Sequence, residues 1–224
     1  MLIFLILFNP LFVQAATATY ELEFTSTWNN NDITINLPVN AHFTILIGVT
    51  HGKGDALWIP GTKASQGVEN VAETGSIGAI QSEISQAISA GTAGSQVISN
   101  DLYRPFPSSS STVFQVTDKH SSISLISMIA PSPDWFVGVS GLSLKDSNGN
   151  WIRKLIVNLV PWDAGTENGS SFSLSNTATS PQRNIALING NPFVGTTSLG
   201  TLEFNLQSVS SASPGAVFLL LSGL

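Results

Sequence analysis

The chain has 224 residues and a formal net charge of −6, with eight Lys and Arg against fourteen Asp and Glu and no cysteine. That length suits one medium domain with a core of its own. Eight scattered basic residues supply no basic face, which excludes a nucleic-acid binder and disfavours anionic membranes unless a cation mediates the contact. The lack of cysteine removes any disulfide framework and any thiolate metal site.

The first stretch, MLIFLILFNPLFVQA, is apolar to Val13 and then meets small residues. It reads as the apolar core and cleavage region of a secretory signal peptide over 1–18, with Val13 and Ala15 meeting the small-x-small rule. No Lys or Arg precedes the apolar run. An exported chain without cysteine fits a bacterial protein better than an animal extracellular one.

After the leader, ATYELEFTSTW alternates. Tyr20, Leu22 and Phe24 fall on one face and Glu21, Glu23 and Thr25 on the other, which predicts a half-buried strand. Residues 41–51 (AHFTILIGVTH) predict a second strand with more buried positions. Then the period changes. Val68, Val71 and Ala72 stand at helical spacing, as do Ile77, Ile80, Ile84 and Ile88, with Gly75 between them as a stop, so two short helices are expected.

The runs SSTVFQVTD, SSISLISMIA, DWFVGVSGLSL, WIRKLIVNLVP and GTLEFNLQSV follow, bounded by Pro, Gly, Asn and Ser clusters. FPSSSSTV reads as a surface loop. The whole predicts an all-β protein, an antiparallel sandwich of about eight strands with one or two short inserted helices, forming one domain over 19–209. Residues 210–224 turn apolar again. They are too few to span a bilayer, which needs ~20 apolar residues, and read either as a partial C-terminal sorting signal or as a frayed terminal strand.

The chemistry concentrates in two similar stretches. SPDWFVG carries Asp134, and VPWDAGTENG carries Asp163 and Glu167. Strand 136–144, the Asn148-Gly149 turn and strand 151–160 read as one hairpin, which returns Asp134 and Asp163 to the same sheet edge although they lie 29 residues apart. Three acids at one edge repel one another unless protonated, dispersed or neutralised. Hard oxygen ligands on loops suit Ca²⁺, and Gly165 lets the second loop fold back so that carbonyls can join the shell. The same residues can also be three solvated acids capping turns. Zn²⁺ is a poor fit without Cys or a nearby His.

The blocks VTHGKGDALWIPGTKASQGVENVAETG, SLISMIAPSPDWFVGVSGLSL and VPWDAGTENGSSFSLSNTATSPQ resemble those of the spondin domain of F-spondin/mindin type, found in extracellular proteins. The likeness covers roughly 19–206. It implies a β-sandwich similar to calcium-dependent lipid-binding domains, with one Ca²⁺ held at the loop end by Asp134, Asp163 and Glu167. The family pattern has Asp where this chain has Glu167, and the disulfides of animal members are absent.

The expected protein is a secreted or cell-surface, non-enzymatic calcium binder in adhesion or recognition within an extracellular matrix, with an unidentified protein or glycan ligand. Two other classes are weighed. Five tryptophans at strand ends could form a carbohydrate-binding platform. A hydrolase using His51 or Ser140 is disfavoured, because GVSGL misses the nucleophile-elbow spacing by one residue.

Overall fold

The computed structural model describes residues 16–28, 34–194 and 198–210. The expected leader up to Ala15, and the expected tail from Ser211, lie outside those residues. In chain order the elements are β1 (Thr17–Ser26), β2 (His42–Phe43), β3 (Ile47–His51), α1 (Gln66–Thr74), α2 (Gly78–Ser89), β4 (Ala93–Ile98), β5 (Leu102–Tyr103), β6 (Ser108–Thr117) and β7 (Ser122–Ala130). They continue with β8 (Trp135–Ser143), β9 (Lys154–Leu159), β10 (Trp162–Asp163), β11 (Glu167–Asn168), β12 (Thr177–Ala178), β13 (Ala186–Leu187) and β14 (Gly200–Ser210). Eight of these strands have five residues or more, as the sandwich expectation requires. Thr17 and Ala18, assigned to the leader from sequence, are strand residues paired with Ser210 and Val209.

Two sheets face each other. One has the order β6-β1-β14-β9. The other runs β13-β10-β8-β7-β2-β5, with β3 and β4 branching from β7. The alternation read in β1 is real: Ala18, Tyr20, Leu22 and Phe24 point inward and are fully buried, against Trp28, Phe43, Leu125, Trp135, Val137, Phe204 and their neighbours.

β7 is buried along its whole length, on both faces. Ile123, Leu125 and Ile129 enter the inter-sheet core, while Ile126 joins a second core with Ile47, Val49 and Phe136 beneath the helices. The helices supply Val68, Val71, Ala72, Ile80 and Ile84 to that second core. Ser65 caps α1 by accepting the Val68 N–H, and Gly75 ends it at φ 70° in the left-handed region, as the helical pattern predicts.

Three sequence expectations are corrected. Residues 41–51 are not one strand. β2 and β3 flank a break at Thr44, whose N–H still donates to the Met128 carbonyl while its Oγ1 accepts the Met128 N–H and its carbonyl accepts the Ser127 hydroxyl, so side-chain bonds take over part of the ladder there. The serines of FPSSSSTV are not a loop. Ser108 to Ser111 are strand residues of β6 paired with Ser26 to Glu23 of β1. The third correction concerns the hairpin. β8 and β9 lie in different sheets, and β9 pairs with β14. The turn at Asn148-Gly149 is tight, with Asp146 Oδ1 accepting the Asn148 and Asn150 N–H groups, but it carries the chain across the sandwich rather than along one ladder.

Glycines set the strand spacing around β7. A Cβ at Gly48 in β3 would lie 1.9 Å from the Ser124 carbonyl oxygen, and one at Gly138 in β8 would lie 2.0 Å from that of Leu125. Backbone cannot yield as a side-chain tip can. Gly138→Ala should therefore destabilise the fold by about 2–3 kcal/mol in urea denaturation. Gly78→Ala, facing open space at the start of α2, should be neutral or gain up to about 1 kcal/mol from helix propensity. Equal stabilities for the two variants would refute this account of the spacing.

Candidate metal centre

After β7 the chain turns through Pro131 to Asp134. Ser132 Oγ accepts the Trp135 N–H at 3.1 Å, closing the turn. Trp135 is buried and meets Phe172 and Phe193 edge-on, at centroid distances of 5.4 and 5.5 Å. The indole thus anchors the residue after Asp134 in the core. Pro133 packs against Gly169, where a Cβ would come within 2.4 Å of its Cγ. The two acid-bearing loops touch directly.

The chain then crosses to the other sheet and returns as β10. Trp162 pairs with Phe136 and Asp163 with Trp135. Asp134 and Asp163 therefore do come to one sheet edge, through this short strand pair and not through a hairpin ladder. Gly165 adopts φ 78°, and a Cβ there would strike the Arg183 backbone. The fold-back read from sequence is present. The Gly165 carbonyl, however, accepts the Arg183 N–H at 2.8 Å and is committed to that bond.

Asp134 is fully buried. Its Oδ2 accepts the backbone N–H of Thr166 at 2.7 Å, that of Glu167 at 3.0 Å, and the Thr166 hydroxyl at 3.3 Å. Its Oδ1 has no partner. Asp163 Oδ1 accepts the Gly165 N–H at 2.8 Å. Burial and then the Asp134 charge push the Asp163 carboxyl up to about 6. Burial also raises Glu167, assisted by repulsion from Glu73 and Asp134 and opposed by a hydrogen bond with Asn176.

Glu73 is the residue that sequence reasoning missed. It sits in the last turn of α1, where burial raises its carboxyl, a hydrogen bond with Thr166 opposes the rise, and Glu69 and Asp134 repel it. The Thr166 hydroxyl has one proton for two carboxylates. The last turn of α1 holds no basic residue, so the negative end of the helix dipole is left uncompensated beside these acids. The signal in sequence was the helical phase, which puts Glu69 and Glu73 one turn apart on one side of α1; only the fold reveals that β10 and its following loop pass that side.

Among the described residues, no three acidic or histidine side chains stand in a ready-made metal-ligating group. The donor set nonetheless fits a hard cation. A carboxylate oxygen out of water with no donor carries an unmet electrostatic demand, and the surrounding groups are oxygens of Asp163, Glu167 and Glu73 rather than nitrogen or sulfur. The chain would hold such an ion through Asp134 Oδ1, Asp163 and Glu167.

The other candidates fare differently. Ser140 donates its hydroxyl to the Trp58 carbonyl. His51 is buried, with Nε2 2.8 Å from Ser124 Oγ and Nδ1 2.7 Å from the Gly52 carbonyl, so it ties β3 to β7. His42 stacks on Tyr103, and His120 Nε2 lies 3.2 Å from the Gly91 carbonyl. Trp28, Trp58 and Trp135 are buried and offer no platform.

The chain is similar to proteins of one family. The Spondin_N family model matches residues 18–195. Human spondin-2 is 33% identical over 176 residues, covering 77% of this chain and 53% of that protein. Human spondin-1 is 34% identical over 173 residues, covering 75% of this chain and 21% of that protein. The rat proteins are similar, at 32% for spondin-2 and 35% for spondin-1. The chain thus spans about half the length of the spondin-2 relatives and about a fifth of spondin-1.

The Asp163 shift has a measurable consequence in the metal-free protein. Its carboxyl binds a proton more tightly folded, at about 6, than at the ordinary 3.8. The contribution is therefore fully present below about pH 4 and is lost as pH rises through about 6. With EDTA present, wild type should lose about 1–2 kcal/mol more stability between those limits than Asp163→Asn, allowing for the partial exposure of the group. Parallel pH profiles for the two proteins would show that Asp163 is not held in a charge-hostile site.

Proposed function

The chain belongs to the spondin N-terminal domain family, and we propose that it works as a non-enzymatic calcium-binding module in adhesion or recognition at the cell surface or in an extracellular matrix. The extracellular setting follows from the family. The observation that carries the calcium reading is Asp134, a fully buried carboxylate with one oxygen on two loop N–H groups and the other without a donor. Calcium bound there supplies positive charge to the acidic cluster and takes six to eight oxygens in irregular geometry.

The residues around it do the positioning. Pro133 and Trp135 hold Asp134 in place from both sides, and the ladder pair between Trp135 and Asp163 fixes the second ligand. The Glu167 side chain, one methylene longer than Asp, starts from β11, which β12 steadies. Neutralising these acids ties the turn 131–134 to the loop 163–169 and leaves their outer faces as an ordered surface for a partner.

Calorimetry on the full chain should find one calcium site. At calcium a hundredfold above Kd, linkage adds ~2.7 kcal/mol and raises Tm by roughly 5–10 °C. Magnesium, which demands tighter octahedral geometry, should give a smaller rise. Asp134→Asn should fold, because its amide oxygen can still accept the Thr166 and Glu167 N–H bonds, and should lose the calcium response. A wild type indifferent to calcium, or a variant that responds equally, would sink the proposal.

A further inference from the structure

One pocket adjoins this centre and faces solvent. It has a volume of about 380 Å³, and its walls include Asp163, Arg183, Asn184 and Leu187. Arg183 reaches it from the segment before β13. One guanidinium nitrogen donates to the Glu167 backbone carbonyl at 3.3 Å, which holds the side chain over the second acid loop. Among the described residues the ion pairs are Lys145 with Asp118 and Lys154 with Glu203, and Arg183 is in neither. Arg183 and Asp163 line the same pocket, so the guanidinium lies beside that carboxylate. A cation fixed beside a candidate calcium ligand weakens calcium binding, so its presence calls for a second purpose.

We infer that Arg183 and the calcium-loaded edge of Asp163 form the two sides of a receptor for one carboxylate side chain, Asp or Glu, of a partner protein. The inference rests on the calcium reading above. A guanidinium presents paired N–H donors in the plane that a carboxylate accepts. Asp134 Oδ2 is committed to loop N–H groups, so the three carboxylates would supply fewer than the six to eight oxygens that calcium takes, which leaves room for an incoming one. Without calcium, Asp163 would repel the anion, so binding should require the ion.

Three observations favour a peptide over a glycan. No aromatic ring lines the pocket, whereas sugars are usually gripped on aromatic faces. β13 ends its sheet, and Leu187 beside the pocket is 42% exposed, which suits an extended chain lying along the edge. The net charge of −6 disfavours a polyanion but tolerates a single carboxylate.

The test uses the isotope-labelled full chain and NMR shifts of the Arg183 side-chain N–H and the Asn184 and Leu187 amides. The probe is acetyl-Ala-Asp-Ala-amide at millimolar concentration, with the Asn peptide and methyl glucuronide as controls. With calcium, the Asp peptide should shift these signals and the Asn peptide should not. Arg183→Gln should weaken the effect roughly tenfold, with Arg183→Lys between it and wild type. Calcium affinity of Arg183→Gln should be equal or higher. If calcium binds but the Asp peptide shifts nothing, shifts the signals equally without calcium, or is outdone by glucuronide, this inference fails and the calcium reading stands. If wild type binds no calcium, the calcium reading itself has failed.

Discussion

The two-residue pairing of β10 with β8 is the constraint on which the candidate site depends. It sets Asp163 opposite Trp135, one residue from Asp134, and so forces two acids to share an edge. Water cannot relieve the repulsion at Asp134, which is fully buried. Taking a carboxylate out of water costs several kcal/mol even after relaxation. Two backbone N–H groups return part of that through charge-assisted bonds to Oδ2. Oδ1 receives nothing. A neutral side chain of the same shape would cost less to bury here.

The surroundings are built to keep that charge where it is. Trp135 sits among Phe172 and Phe193, and Phe172 in turn meets Trp28, which meets Phe43. Moving Asp134 would mean moving an aromatic cluster that spans both sheets. On the other side, Gly165 and Gly169 let the second loop approach so closely that a methyl group would collide with Arg183 or Pro133. Rigid loops lose little entropy when a ligand arrives, which is the condition for binding with few protein ligands.

What could be read from the sequence follows this division. The alternation in residues 18–24 and the helical phase of 68–84 each report one buried face, and both elements stand where that signal puts them. β7 shows the limit. Its continuous apolar run marks burial on two faces, but nothing in SSISLISMIA says that one cover is a sheet and the other a helix pair. Asp134, Asp163 and Glu167 stand out in the sequence by residue type, the two aspartates also by their proline and tryptophan neighbours. The expected β8–β9 ladder does not form, because a tight Asn-Gly turn looks the same whether the next strand pairs back or crosses to the opposite sheet. Glu73 was invisible for a related reason: its helix reaches the site through packing on β7 and β8, a contact that no local pattern encodes. The short strands β10 and β13 escaped because two residues carry no period.

Charge balance would link a bound ion to the pocket beside it. Three carboxylates around a divalent cation leave one negative charge, and the site would then repel any acid a partner offered. The Arg183 guanidinium would offset that charge at the pocket, while Glu73 adds a fourth carboxylate on the α1 side. The geometry would separate the two tasks: Asp134, inaccessible and held by the Thr166 loop, would face a bound ion, while half-buried Asp163 also lines the pocket. An arginine there is a cost for holding calcium and a gain for receiving a carboxylate. Its bonds to the Glu167 and Gly165 carbonyls hold it beside the second acid loop in either case. On this reading the ion is one half of a recognition surface whose other half is carried by the chain itself.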